Sequence, residues 1–298
     1  MGSDSERIAL AAFVSGSVLA GGNAVAIRFS NRELDPLWGA GLRFAVAAVV
    51  FAALLVLLRL GLPRGRALLG VVLYGAFTFG GAFSLAYYAL VELHAGFGQI
   101  LLALVPLAAL LLTVLQGQER LRIAAVLGSL LALAGVLVMS SASIEGELPV
   151  PSVLAAIGSA FCFAQGAVVI RRFPTVHPVT TNAIGMAVGA SLLLAAAFIV
   201  GETVEVPPEG ETWAALAYLV AVGSVVVFLL YLIVLERWTA SRASYEFVLI
   251  PFFTVAISAW LDDEPLGWEL AAGGLLVLAG VYVGALRPAG GDVAEDTH

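Results

Sequence analysis

The chain has 298 residues, of which 61% are hydrophobic and 12% are charged, and its mean hydropathy is +1.03. An ordinary soluble domain is about half apolar and about a quarter charged, so this composition excludes the soluble globular classes and indicates an integral membrane protein. The formal net charge of -7 does not point to a cationic partner, because the acidic residues lie mainly in short loops. The sequence predicts no nucleic-acid partner.

The hydrophobic segments are long enough to cross a bilayer. A helix that spans the apolar core of about 30 Å needs roughly 20 apolar residues, and internally hydrogen-bonded helix is the form that lipid permits for such runs. The sequence therefore predicts an all-α membrane protein with ten transmembrane helices and short loops. In chain order, the predicted spans 1 to 10 cover residues 8–28, 37–58, 67–90, 95–115, 122–140, 152–170, 178–200, 213–235, 241–260 and 267–286.

Arginine placement predicts which side of the membrane each loop faces, because basic residues near span ends are retained in the cytoplasm. If the N-terminus is inside, the cytoplasmic segments hold 11 arginines and the opposite loops hold only Arg28 and Arg32. Both termini are therefore predicted to be cytoplasmic, in a protein of the cytoplasmic (inner) membrane. A cleaved signal sequence is the competing interpretation of span 1, but the preceding "GSDSER" is not positively charged.

Two stretches of the chain repeat each other without a gap. Pro106 and Pro251, like Glu119 and Glu264, are 145 positions apart, and the 33 residues from Pro106 share 11 identities with the later copy. Each copy lies in one group of five predicted spans. Because five is odd, the two groups must face opposite ways across the membrane, which is a design of many secondary transporters. The predicted domains are residues 8–140 and 152–286.

The residues that recur at fixed places in the repeat resemble the motifs of a known family. A proline interrupts a span, a glutamate and a leucine follow as "ERL" or "EPL", and the next helix carries "AGV"; "LRF" at Leu42 to Phe44 is similar too. Together these motifs resemble the EamA-type transporters of the drug/metabolite transporter superfamily. The resemblance implies two inverted five-helix halves around a central cavity lined by spans 1 to 4 and 6 to 9. It also implies carriage of small metabolites, often export of amino acids or related compounds. The chain departs from many relatives at Ile250, where they have glutamate directly before the proline.

Polar groups deep in the spans are the candidate substrate-binding residues, because each is costly in lipid and must face a cavity or a partner. Arg43 in span 2 suits either an anionic group such as a carboxylate or a helix-end carbonyl. Asn23 in span 1 and Gln165 in span 6 occupy neighbouring repeat-related positions. Their amides both donate and accept, so they suit either a zwitterionic solute or contact between helices.

Three further residues are weaker candidates for contact with the substrate. They are Tyr87 in span 3, Gln99 in span 4 and Tyr231 in span 8. Aromatic residues near a membrane interface usually anchor the helix, which is the competing interpretation of the two tyrosines.

Glu246 in span 9 is a candidate for proton coupling. It follows Arg242 by four residues, so the two side chains can lie on one helix face and pair. It also precedes Pro251 by about one turn, where the helix is expected to bend. A carboxylate there could exchange protons as the site alternates between wet and dry states.

The repeated prolines and glutamates have structural roles in this interpretation. Pro106 and Pro251 each remove a helix hydrogen bond and are predicted to bend their spans. Glu119 and Glu264 are predicted to cap helices at loop hinges, where a carboxylate meets the positive end of a helix.

The sequence therefore predicts a secondary transporter that moves a small polar metabolite, an amino acid or related compound, across the cytoplasmic membrane by alternating access, with export favoured. The alternatives are a facilitative channel and a helical scaffold without transport. An enzyme is not expected, because every aspartate lies outside the spans and no nucleophile and base form a recognisable pair. No cofactor or metal is predicted. The expected partners are the metabolite and the bilayer, with possible proton coupling, in a monomer or homodimer.

Overall fold

The structure is a computed structural model that describes residues 2–92, 102–139, 149–205, 207–261 and 268–286. Within these ranges all the regular secondary structure is helical. Three segments have π-helical turns: π1 (Ala76–Ala82), π2 (Ala221–Val226) and π3 (Tyr282–Leu286). The α-helices are α1 (Gly2–Gly21), α2 (Asn23–Ser30), α3 (Pro36–Leu57), α4 (Arg66–Gly75), α5 (Phe83–Glu92), α6 (Val105–Leu115), α7 (Ile123–Met139), α8 (Val150–Arg172), α9 (Pro178–Val200), α10 (Gly210–Val220), α11 (Val227–Arg237), α12 (Ala240–Ala243), α13 (Glu246–Leu261) and α14 (Trp268–Val281).

Five continuous helical stretches are long and apolar enough to cross a membrane, and each overlaps a predicted span. Shorter apolar helices account for parts of other predicted spans. The count of ten stays a prediction, since several of those spans lie partly outside the described ranges. Side chains such as Ile199, 85% exposed, and Leu57, 76% exposed, give the bundle an apolar exterior suited to lipid. The five long stretches are Pro36–Leu57, Arg66–Ala89, Val150–Arg172, Pro178–Val200 and Gly210–Arg237.

Predicted span 1 is divided into two helices at Gly22. The Tyr218 hydroxyl donates a 2.7 Å hydrogen bond to the carbonyl of Leu19, which is the acceptor that Asn23 N–H would use in a continuous helix. A side chain at Gly22 would overlap that hydroxyl. The break therefore brings a polar group of α10 against the backbone and sets the direction of α2.

The π segments occur at matching places in the two halves of the chain. The π1 segment begins at Ala76 and the π2 segment at Ala221, a separation of 221 − 76 = 145 residues, which is the spacing of the sequence repeat. Single π-helical turns inside α-helices are rare and often mark functional sites. Both segments lie inside long apolar stretches, and both face the centre of the bundle through buried residues such as Thr78 and Ser224.

Helices α7 and α14, which carry the repeated glycines, pack directly against each other. A Cβ atom on Gly135 would lie 2.6 Å from the carbonyl oxygen of Gly273, and one on Gly128 would lie 2.6 Å from Cα of Gly284 in π3, which continues directly from α14. Numbers rise along one helix as they fall along the other, so the pair is antiparallel. Small residues allow this approach of two backbones, which is a usual way for helices to associate in lipid.

Hydrogen bonds gather the loops at two ends of the bundle. At one end, Arg171 donates to the carbonyl of Leu235 at 2.6 Å, and the carboxylate of Glu119 accepts from Ser241. We call this the arginine-rich end. At the other end, the carboxylate of Glu202 accepts from the backbone N–H groups of Leu37 and Trp38 at 3.1 and 2.7 Å, so it caps the start of α3. Asp35 there accepts from the backbone N–H and hydroxyl of Thr203.

Candidate functional site

Arg43 lies on the eighth residue of α3 and is buried in the bundle, with 1% of its surface exposed. Its Nε donates to the Ser224 hydroxyl at 2.7 Å, and its Nη2 donates to the carbonyl of Gly223 at 3.0 Å. Both partners belong to π2, where the irregular turn leaves a backbone carbonyl available. The remaining nitrogen, Nη1, is buried without a hydrogen-bond partner among the described residues.

Asn23 meets Arg43 at the same glycine. A Cβ atom on Gly223 would overlap Asn23 Oδ1 and would lie 3.1 Å from Nη2 of Arg43. Glycine at this position therefore allows the amide and the guanidinium to converge. Asn23 Oδ1 is buried and has no hydrogen-bond partner in the described part of the chain, so this acceptor is available.

Tyr87 of α5 completes a polar group around Arg43. Its side chain is 1% exposed, and its hydroxyl interacts electrostatically with the guanidinium. The hydroxyl is nevertheless outside hydrogen-bonding geometry with every described residue. The guanidinium also lies over the rings of Phe44 and Phe83, 5.0 and 5.5 Å from their centroids. We refer to Asn23, Arg43, Tyr87, Gly223 and Ser224 as the Arg43 cluster.

A layer of aromatic rings lies next to this cluster. Phe44 contacts Phe83 with a centroid distance of 4.6 Å, and Phe79 contacts Phe228 at 4.7 Å, both edge to face. Edge-to-face packing is a favourable arrangement for such rings. The contacts continue to Tyr74 on one side and to Tyr231 on another. The aromatic layer consists of Phe44, Phe79, Phe83, Phe163, Phe228 and Phe247.

Glu246 lies at the start of α13 and is also buried, at 2% exposure. Its Oε2 has no hydrogen-bond partner among the described residues. The carboxyl occupies space left by Gly16 of α1, where a Cβ atom would overlap Oε1. Tyr74 and Tyr231 interact electrostatically with it. Both hydroxyls are buried and find no hydrogen-bond partner in the ranges that the structure describes.

The ion pair predicted as one possibility for Glu246 is not formed. Arg242 pairs instead with Glu6 of α1, stacks over the ring of Trp238 at 3.9 Å, and donates to the carbonyl of Ala285. The physical reason is local. Helix α12 ends at Ala243 and α13 begins at Glu246, so the spacing of four residues does not fall on one continuous helix.

Gln165 is engaged between helices. Its Oε1 accepts from Nε2 of Gln116 at 2.8 Å, just after the end of α6. Gln118 adds a bond to the carbonyl of Val168 at 3.0 Å. The structure thus places Gln165 in an amide pair that joins α6 to α8, and among the described residues it makes no hydrogen bond to the Arg43 cluster.

The repeated prolines and glutamates have different surroundings. Pro106 is the second residue of α6, in the first turn, where a backbone N–H has no acceptor within the helix and its loss costs no hydrogen bond. Pro251 lies inside α13. Glu119 caps α12, 122 residues away, by accepting from Ser241. Gln99 and Glu264 lie outside the described residues.

The structure adds buried polar residues that the sequence argument did not select. Tyr74 is fully buried and interacts electrostatically with Glu246. Asn182 of α9 is fully buried, and neither of its amide atoms has a hydrogen-bond partner among the described residues. The rule that selects Asn23, an amide inside a predicted span, applies equally to Asn182. Among the described residues no group of three or more His, Cys, Asp or Glu side chains could hold a metal ion.

The chain resembles curated transporters over most of its length. It is 27% identical over 265 residues to an uncharacterized transporter of Archaeoglobus fulgidus, covering 87% of this chain and 91% of that protein. It is 27% identical over 270 residues to the uncharacterized inner membrane transporter YedA of Escherichia coli K12, covering 89% and 87%. A probable amino-acid metabolite efflux pump of Salmonella typhimurium is 26% identical over 278 residues, with 89% and 91% covered.

A solved crystal structure shares the fold, with a TM-score of 0.78 and 23% identity over 96% of this chain and 98% of that one. The model of the EamA-like transporter family matches residues 7–141 and 150–285. The two matches correspond to the two halves of the sequence repeat and together cover most of the chain. This multi-pass membrane protein therefore belongs to the EamA-like transporter family.

Proposed function

We propose that the protein is a secondary transporter that exports a small polar metabolite bearing a carboxylate, an amino acid or a related compound, by alternating access. The observation that carries the proposal is the Arg43 cluster. Considering the described residues, it presents a buried cation whose Nη1 has no hydrogen-bond partner, beside two further groups without one, Asn23 Oδ1 and the Tyr87 hydroxyl. Buried polar groups in proteins are nearly always hydrogen-bonded, so this set is matched to a ligand or to water.

The chemistry of the cluster favours a zwitterion. Arg43 is held by Ser224 and Gly223 through Nε and Nη2, which leaves Nη1 to donate to a substrate carboxylate. Asn23 Oδ1 can accept from an ammonium group, and the Tyr87 hydroxyl can donate or accept. The rings of Phe44 and Phe83 near the guanidinium provide an apolar wall for a side chain.

Alternation between the two sides is supported by the arrangement of the halves. Segments π1 and π2 begin 145 residues apart, and α7 and α14, which belong to the two copies of the repeat, are antiparallel. Both features are those expected of an inverted repeat, which lets two halves exchange conformations around a central site. The closely packed aromatic layer beside the Arg43 cluster is a barrier that a carrier must open.

The name of a relative supports the proposed substrate class and direction. The protein of Salmonella typhimurium is named a probable amino-acid metabolite efflux pump, and the zwitterion chemistry of the Arg43 cluster agrees with such a cargo. Glu246 is proposed to couple export to protons, because an ionisable group that is buried without a partner changes its protonation when water reaches it.

Counterflow in proteoliposomes tests the proposed function. Vesicles loaded with an unlabelled amino acid are expected to accumulate the labelled compound transiently and with saturation, because one site is exposed to each side in turn. The panel should include, for each amino acid, the amine that lacks its carboxylate, and these amines should not compete. Flux that rises linearly with concentration would indicate a channel, and absence of flux for the whole panel would indicate a scaffold.

The sidedness of the chain is tested by reporter fusions. Fusions after residues 62, 118 and 174 are expected to report the cytoplasm, and fusions after 146, 206 and 263 the opposite side, because arginine is concentrated in the first set of loops and is retained inside. An external signal after residue 118 would contradict both the orientation and the inverted repeat.

A further inference from the structure

A cavity of about 280 Å³ lies at the arginine-rich end of the bundle. The end of α8, the start of α9 and the end of α11 form its walls. Its polar lining comes from Arg171, Thr175, Thr181 and Glu236, and its apolar lining includes Leu232 and Leu235 of α11. Its size allows several water molecules, and its lining offers the polar partners that ordered water requires.

Unpartnered polar groups follow this cavity into the bundle. Asn182 is the next residue after the cavity-lining Thr181, is fully buried, and has no partner for either amide atom among the described residues. Gly185, one turn further along α9, contacts the ring of Tyr74: a Cβ atom there would lie 3.2 Å from Cδ1. Asn182 and the Tyr74 contact therefore lie on one face of α9.

Helix α11, which forms another wall of the cavity, also leads toward Tyr74 and Glu246. Tyr231 directly precedes the cavity-lining Leu232 on α11. It interacts electrostatically with both Tyr74 and Glu246, and Tyr74 interacts with Glu246. Glu246 also approaches α11, since a Cβ atom on Gly16 would overlap Glu246 Oε1 and would lie 3.7 Å from Cβ of Leu230, the residue before Tyr231. Asn182 directly follows the cavity-lining Thr181 on α9.

We propose that water enters from this cavity, passes Asn182, and reaches Tyr74, Tyr231 and Glu246, so that these residues line a hydrated path from the arginine-rich end to the Glu246 carboxyl. Within the described part of the chain, five atoms on this path lack a hydrogen-bond partner: Nδ2 and Oδ1 of Asn182, the hydroxyl oxygens of Tyr74 and Tyr231, and Oε2 of Glu246. A water molecule needs two to four polar partners, and this series supplies them. The path ends at the aromatic layer, where Tyr231 contacts Phe247 at 5.6 Å.

The hydration itself does not depend on transport, but the use of the path does. If the proposed function holds, the path gives Glu246 access to protons from one side only, while the Arg43 cluster lies beyond the aromatic layer. Asn182 is then a positioning residue, which holds water and touches no substrate.

Thiol labelling tests the path. In a Cys162→Ser background, single cysteines replace Asn182, Tyr231, Leu235 and Val136. A cationic methanethiosulfonate is then added to either face of sealed membrane vesicles of known orientation. Leu235→Cys, at the cavity, should react, and Val136→Cys, fully buried in α7, should not. Asn182→Cys and Tyr231→Cys should react from the face that holds the arginine-rich end.

A second substitution shows whether Asn182 lies on the route. Asn182→Leu should slow the reaction of Tyr231→Cys by about tenfold or more, a barrier change of roughly 1.4 kcal/mol, whereas Asn182→Ser, which keeps a polar group, should restore it. Thr113→Val is the matched control, because the Thr113 hydroxyl is buried but bonded within its own helix. All variants are compared by gel-filtration profile and unfolding temperature.

The outcomes separate the path from the transport function. An inert Asn182→Cys in a folded variant overturns the path, as does a Tyr231→Cys rate that Asn182→Leu leaves unchanged, or reaction from the opposite face alone. Labelling as expected without any counterflow would retain the path and remove the proposed function. Counterflow without labelling would retain the proposed function and overturn the path.

Discussion

Replacing Arg43 with glutamine is expected to lower the affinity for a carboxylate-bearing substrate by two to three orders of magnitude. Removing one partner of a buried, hydrogen-bonded charge pair costs about 2–5 kcal/mol, and each 1.4 kcal/mol corresponds to about a factor of ten. Ser224 and the Gly223 carbonyl hold the guanidinium in place. The substitution therefore removes both the positive charge and the fixed orientation of the donor groups. Saturation of counterflow measures the change, with substrate-dependent thermal shift as a second readout.

The control and the conservative variant make this test specific. Arg237→Gln should leave counterflow unchanged, because Arg237 bonds a carbonyl of its own helix and lies toward the surface. Arg43→Lys keeps the charge but lacks the planar fork of donors, so an intermediate loss is expected. If Arg43→Gln binds the amino acid as tightly as the wild type does, the Arg43 cluster is not the carboxylate site.

Replacing Glu246 with glutamine is expected to abolish accumulation driven by a pH gradient while substrate exchange survives. The amide has nearly the shape of the carboxyl but neither binds nor releases a proton, so conformational exchange can proceed without coupling. In the wild type, one coupled proton can support about a tenfold ratio of substrate concentrations across the membrane for each pH unit. A difference of one pH unit and a tenfold concentration ratio each correspond to about 1.4 kcal/mol. Proteoliposomes with and without an imposed pH difference measure both activities.

Glu211→Gln is the matched control, because the Glu211 carboxylate lies on the surface, 71% exposed and 4.0 Å from Nη1 of Arg32. It should keep both exchange and gradient-driven accumulation. The coupling hypothesis is refuted if wild-type protein ignores the gradient, or if Glu246→Gln accumulates substrate as the wild type does.

The sequence predicted the long apolar helices well, because span length is a local property of the chain. Five predicted spans coincide with long helical stretches, and the 145-residue register of the repeat recurs in π1 and π2. The burial of Arg43 also followed from its depth in span 2. These features need no knowledge of which helices are neighbours.

The side-chain partners could not be predicted, because they depend on contacts between distant parts of the chain. Glu119 finds its partner at Ser241, and Arg242 finds Glu6, while sequence reasoning could consider only neighbours on one helix. The turn between α12 and α13, which removes Arg242 from Glu246, carries no strong signal in "SRASYEF". The neighbours of Asn23 likewise depend on a glycine in the other half, Gly223.

In each half of the chain, the π segment determines the direction in which a following tyrosine points around the helix axis. Tyr87 lies five residues after the end of π1 at Ala82, and Tyr231 lies five residues after the end of π2 at Val226. Successive residues of an α-helix are rotated by about 100° around the axis, so removal of one residue from either segment would swing the following phenol by that angle. The Tyr87 hydroxyl would then turn away from the guanidinium, and the Tyr231 hydroxyl would turn away from the carboxyl. The wider turns thus set the angle at which Tyr87 and Tyr231 project from their helices, and with it their electrostatic interactions with the buried cation and the buried acid.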